Sequence, residues 1–168
     1  MHKRPIVANQ IKCASVVAPV HGYGGIIRGM HIRIATAADK SRCLELLKIL
    51  NPDISEQAGD VFDSLLNQTR GEAVVAEHDA QVIGLATVSY NLAARYGGEY
   101  CQLEELIVDP EARGLNAGGA LVQATVDRAR QRGCAEYGLY LVAHTEYNQP
   151  FYEKYGFEKV GSEMRQRL

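Results

Sequence analysis

Polar and apolar residues alternate over His31-Ile32-Arg33-Ile34-Ala35, the period-two pattern of a half-buried strand. The period then lengthens. Cys43, Leu44, Leu46, Leu47 and Leu50 recur as one face of a helix, with Thr36 placed to cap it and Asp39 in its positive first turn. Asn51-Pro52 ends that helix, and Ala58, Val61, Phe62, Leu65 and Leu66 predict a second one starting near Ser55. Alternation returns in Ala73–Glu77 and Val82–Val88, joined by the tight connection His78–Gln81. A loop over 91–98 leads into a long strand, Tyr100–Val108, closed by Asp109-Pro110. A third helix runs from Asn116 or Ala117 to about Arg132, burying Leu121, Val122, Thr125, Val126 and Ala129. A strand over Tyr137–Val142, a short helix over Gln149–Lys154 and a hairpin-like stretch from Phe157 onward complete the series. The connection at 78–81 is too short for a parallel crossover. The pattern therefore predicts an α/β fold with a mixed, predominantly antiparallel central sheet flanked by helices.

Composition bounds this picture. A chain of 168 residues, 46% apolar, can build one domain around a core of its own. Periodic structure begins only at His31, so residues 1–30, with Pro19 and four glycines after it, read as a loosely docked extension ahead of a domain over 31–168. A formal charge of -2, with no basic block, argues against a nucleic-acid partner. No run is long enough to cross a bilayer. Cys13, Cys43, Cys101 and Cys134 lack metal-ligand spacing, so no metal is expected, and scattered cysteines of this kind fit reduced residues of a cytoplasmic protein.

Chemistry concentrates in Val108-Asp109-Pro110-Glu111-Ala112-Arg113-Gly114-Leu115-Asn116-Ala117-Gly118-Gly119-Ala120. The passage follows a strand and opens a helix. Small residues there let a ligand approach the backbone, unpaired first-turn amides can donate to phosphate oxygens, and Arg113 adds a cation. Neither a phosphate-binding lysine loop nor the GxGxxG dinucleotide fingerprint is present.

This passage resembles the pyrophosphate loop of the GCN5-related N-acetyltransferases, whose pattern Gln/Arg-x-x-Gly-x-Gly/Ala falls on Arg113 to Gly118 with Asn116 in place of the middle glycine. Asparagine is the residue besides glycine that best tolerates a left-handed backbone. Gln102-Leu103-Glu104-Glu105-Leu106-Ile107-Val108 is similar to the family's central strand, and Asn148-Gln149-Pro150-Phe151-Tyr152-Glu153-Lys154-Tyr155-Gly156-Phe157 to its closing segment. The resemblance spans about residues 31–166 and implies an acyl-CoA N-acyltransferase-like fold with acetyl-CoA as cosubstrate.

By that resemblance Leu106 and Val108 offer main-chain groups to the pantetheine arm, while Arg113, Gly114, Asn116, Ala117, Gly118 and Gly119 form the phosphate cradle. Asn148 caps the closing helix and contacts the arm. Tyr152 is the general acid that protonates the departing thiolate, and Glu104 the base, although strand alternation leaves Glu105 in contention. The implied reaction is direct attack of a primary amine on the thioester. The acceptor is expected to be a small molecule; a protein lysine or N-terminus, or a coenzyme A-binding module without turnover, are the alternatives. Exposed edge strands and the segment Val160–Leu168 leave room for a homodimer.

Overall fold

The computed structural model describes residues 29–166. The extension expected over 1–30 lies outside the described residues as far as residue 28. Met30 already belongs to the first strand, one residue earlier than alternation suggests.

Five strands lie in the order β1-β2-β3-β4-β5: β1 Met30–Ile34, β2 Gly71–His78, β3 Gln81–Ala93, β4 Gly98–Val108 and β5 Tyr137–Leu139. The first four pair antiparallel and β5 runs parallel to β4, the mixed sheet that the pattern predicts. Helices α1 (Lys40–Leu50) and α2 (Ala58–Leu66) cover one face, and α3 (Ala117–Arg132) with the short α4 (Gln149–Glu153) serves the other. Alternation sorts the side chains cleanly. Val75, Leu85 and Ile107 pack with Cys43, Leu46 and Phe62, whereas Val74, Val88, Leu103 and Leu121 form the core beneath α3.

The tight connection between β2 and β3 is a two-residue turn, Asp79-Ala80, with φ of 48° and 60° at its two positions, the sign of a primed hairpin turn whose twist matches the strands. β3 extends to Ala93, so much of the expected loop over 91–98 is strand, and a single 3-10 turn at Ala94–Tyr96 reverses the chain.

Two expectations at the C-terminal end are corrected. β5 stops at Leu139 rather than Val142, because β4 supplies partners only as far as Leu103. From Phe157 to residue 166 no strand forms. That stretch has no apolar stripe with anything to cover; Val160 and Met164 stand 95% and 97% exposed.

Thr36 is the N-cap not of α1 but of a short 3-10 turn, Ala37–Asp39, that precedes it, and Asp39, expected in the first turn of the helix, is instead the N-cap of α1 and reaches back to Thr36. Asp39 accepts from the Thr36 amide at 2.7 Å and the Thr36 hydroxyl at 2.9 Å, and takes both prongs of the Arg33 guanidinium at 2.8 and 2.9 Å. Arg33 foremost, against the opposing effect of burial, draws the carboxyl down to about 2 from its ordinary 3.8. A depressed carboxyl pKa stabilises the fold above the unfolded value and loses that contribution as pH falls through the folded one. Asp39→Asn should therefore lower the melting temperature at pH 6, by an amount worth on the order of 2 kcal/mol. Thermal scans should show wild type and variant converging between pH 4 and pH 2, and a gap constant with pH would count against the assignment.

Candidate active site

One irregularity organises the site. Val88 and Thr87 are consecutive on β3, yet their partners on β4 are Leu103 and Glu105. Glu104 is thus the extra residue of a β-bulge, and the alternation of β4 slips by one beyond it. Leu103 faces the α3 core, and past the bulge Leu106 and Val108 face it too, leaving Ile107 with α1 and α2. Unbroken alternation would set Leu103 and Glu105 on one face, and the slip puts them on opposite faces.

The slip also decides where the main chain points. Glu99 and Cys101 direct their backbone groups at β5, bonding Ala135 N and Glu136 O at 2.9 Å each. The Tyr90 amide points the other way, to Arg70 O at 2.8 Å. Ala86 and Gly84 share the parity of Tyr90, so their partners Leu106 and Val108 turn their amides and carbonyls away from β3. Among the described residues no strand receives them, because β5 pairs only with Cys101–Leu103, and the peptide groups of Leu106 and Val108 are left free.

At the end of β4 the chain is anchored before it turns. The Asp109 amide donates to Ile83 O at 2.8 Å, and its side chain accepts from the Glu111 amide at 2.9 Å and from the Arg42 guanidinium. Arg42, on α1, also holds Val82 O at 3.1 Å. Sequence reasoning missed Arg42, since nothing local marks a partner 67 residues away. A 3-10 turn at Pro110–Ala112 leads to exposed Arg113 and to Gly114, whose φ is +90° and whose α-carbon faces open space. Asn116 adopts the left-handed conformation, φ 53° and ψ 22°, though its side chain makes no capping bond. Ala117 is buried and starts α3. Because the helical ladder begins with Ala120 N to Asn116 O, the amides of Ala117, Gly118 and Gly119 have no helical acceptor. Free peptide edges on β4, followed by unpaired amides beside an exposed arginine, fit an extended amide arm carrying a diphosphate.

The two glutamates occupy different surroundings. Glu104 is exposed on the bulge and accepts from the Ser89 hydroxyl, which in turn receives Asn91 Nδ2 at 2.8 Å. Glu105 is half-buried on the α1/α2 face and accepts from the Thr87 hydroxyl, itself 2% exposed. Burial first, and the neighbouring Glu104 charge second, push the Glu105 carboxyl up to about 7. Thr87 and Ser89 lie fifteen or more residues from the glutamates they bond, beyond the reach of local pattern.

Asn148 sits at the N-cap of α4 but makes no side-chain capping bond, contrary to expectation, because its own φ and ψ of -81° and -7° are already helical. Tyr152 is half-buried against the α3 core, its ring 5.0 Å from Phe151 and 6.0 Å from Phe157. Burial raises its phenol further above the ordinary value, so at neutral pH it keeps a proton to give.

The sequence pattern of the acetyltransferase (GNAT) family matches residues 41–157. A glucosamine 6-phosphate N-acetyltransferase of Trypanosoma brucei brucei is 26% identical over 142 residues, which is 81% of this chain and 94% of that protein. Among solved structures, a Trypanosoma brucei acetyltransferase shares 28% identity at a TM-score of 0.70, covering 83% of this chain and 99% of that one. An aminoglycoside N-acetyltransferase solved in complex with CoA is 21% identical at a TM-score of 0.74, covering 85% of this chain and 98% of the other, and shares the fold.

The left-handed residue at 116 yields a direct check. Asn116→Gly should leave the melting temperature unchanged or slightly raised, whereas Asn116→Ala should cost about 1 kcal/mol, the penalty of a Cβ in that region. Equal stability of the two variants would contradict a left-handed turn at this position.

Proposed function

The chain belongs to the acetyltransferase (GNAT) family, so its reaction is acetyl transfer from acetyl-CoA, and we propose that the acceptor is the primary amine of a small molecule. An amino sugar leads the candidates, supported by the likeness to the glucosamine 6-phosphate enzyme over nearly its whole length. The observation that carries the reading is the bulged, half-open β4, which pairs free peptide groups at Leu106 and Val108 with a perturbed carboxyl at Glu105.

Acetyl-CoA supplies a thioester whose carbonyl carbon is the electrophile. Leu106 and Val108 bind the pantetheine arm through their main chain, and Arg113, Gly114, Asn116, Ala117, Gly118 and Gly119 hold the diphosphate against the start of α3. Asn148, with its side chain uncommitted to the helix, is available to the arm. An amine arrives largely as an ammonium, and the Glu104/Glu105 pair favours that charge. Glu105 is the carboxyl placed to take the surplus proton, with Glu104, exposed on the bulge, raising its basicity. Sequence alone favours Glu104 for this role; the Thr87-bound, half-buried setting moves the assignment to Glu105. The free amine then attacks the carbonyl carbon, the C–N bond forms as the C–S bond breaks, Tyr152 gives its proton to the departing sulfur, and the extra proton left on the new amide nitrogen leaves to solvent. Buried, free Cys43 and Cys101 suit the reducing cytoplasm in which we place the reaction.

A panel of glucosamine 6-phosphate, glucosamine, an aminoglycoside and a lysine peptide, each mixed with acetyl-CoA while thiol release is followed, tests the acceptor class. Release is expected with at least one small amine and no acetyl adduct on the protein by mass spectrometry. Release with the peptide alone would overturn the proposal.

Three substitutions separate the proton steps. Because the Glu105 carboxyl must be ionised to accept a proton, wild-type kcat/KM should climb as pH rises through about 7. Glu105→Gln should lose about 100-fold and flatten that rise, and Glu104→Gln should shift it to lower pH by removing a like charge. Tyr152→Phe should depress kcat while coenzyme A affinity is kept. A pH profile untouched by Glu105→Gln would retire that residue as the base.

A further inference from the structure

Gly118 and Gly119 stand side by side at the start of α3 but meet different neighbours. A Cβ at Gly118 would lie 3.6 Å from Val108 Cγ2 and 3.7 Å from Phe151 Cζ, an ordinary contact. At Gly119 it would overlap the Tyr155 hydroxyl oxygen, with Tyr155 Cζ at 3.1 Å and Asn116 Oδ1 at 2.6 Å. Gly119 is buried in regular helix. Its backbone therefore makes no demand for glycine, and what the position uses is the missing side chain.

Tyr155 is bound tightly to Tyr152. Its amide donates to Tyr152 O at 2.9 Å, and the Phe157 amide reaches the same carbonyl at 3.4 Å. The Phe151 ring lies 5.3 Å from that of Tyr155 and 5.0 Å from that of Tyr152. α4 is only five residues long, too short to hold a shape of its own, so its place depends on what its aromatic rings rest against. Phe151 rests over Gly118, and the Tyr155 hydroxyl fills the notch at Gly119.

We propose that Gly119 is a positioning residue, whose bare α-carbon seats Tyr155 and through it fixes the Tyr152 phenol beside the open edge of β4. The inference rests on the reading of Tyr152 as the acid. A methyl group at 119 could be accommodated by exposed Asn116, whose amide can rotate away. Tyr155 cannot yield as easily, being half-buried and tied to Tyr152 through both backbone and rings. Displacing an acid by a fraction of an ångström is costly to the chemical step and leaves cofactor binding alone.

The test is Gly119→Ala, with kcat expected to fall about 10- to 100-fold. The affinity for coenzyme A by calorimetry should stay within about twofold, since the amide at 119 remains in the first turn. Gly119→Ala/Tyr155→Phe, which removes the overlapping oxygen, should recover most of the lost kcat. In a Tyr152→Phe background Gly119→Ala should add little further loss, because the group being positioned is already gone. Weakened coenzyme A binding that Tyr155→Phe fails to restore would overturn the proposal and leave the bare α-carbon of Gly119 to the phosphate cradle alone. Full activity of Gly119→Ala would overturn it equally. Should Gly119→Ala not fold, Tyr155→Trp overfills the notch from the opposite side and must give the same loss of kcat with coenzyme A binding kept. Wild-type turnover in Tyr152→Phe would refute the acid assignment, while failure of the Tyr155→Phe rescue would refute the notch, so the two outcomes are read separately.

Discussion

A single extra residue in β4 carries the architecture of the site. Were Glu104 paired as a regular strand residue, Leu103 and Glu105 would point to the same face and the peptide groups of Leu106 and Val108 would be committed to β3. The bulge reverses both. It places a carboxyl under α1 and α2 and bends β4 away from β5 after three residue pairs, leaving free the donors and acceptors that an amide-bearing chain can use.

The loop that follows is firm at both ends and open in the middle. Asp109 is held by Ile83, the Glu111 amide and Arg42, and buried Ala117 fixes the other end in the core. Between them Arg113 and Gly114 stand exposed. Such an arrangement settles the entropy of the turn before any ligand arrives, so binding need not order the backbone. Arg42 extends the anchoring to α1, which ties the helix on one face of the sheet to the loop that serves the other.

What could be read from sequence is what local rules control. The primed turn at Asp79-Ala80, the left-handed Asn116 and the small residues opening α3 all announce themselves within a few positions, because backbone strain and helix termini are local matters. The bulge could not be read, as it exists only in the register between β3 and β4. The faces of Glu104 and Glu105 were unreadable for that reason, and the partners Thr87, Ser89 and Arg42 were invisible because tertiary pairing alone brings them in. The strand expected beyond Phe157 shows the converse limit. Its residues permit extended backbone, yet without an apolar face to bury, nothing within the described residues enforces pairing.

The thiols bear on how the acetyl group travels. A covalent relay would need a thiolate beside Leu106 and Val108, and among the described cysteines burial works against one. Cys43 lies beneath α1 with its thiol pushed up to about 12, and Cys101 is raised as far. Neither is ionised near neutrality, and burial raises Cys134 as well. Against that stand a carboxyl able to exchange a proton near pH 7 and a phenol that holds its own. Glu105 approaches from the α1/α2 face and Tyr152 packs on the α3 side, so proton removal from the acceptor and proton delivery to the leaving sulfur are assigned to opposite sides of the opened strand. In the proposed direct transfer that separation gives each proton step a group of its own.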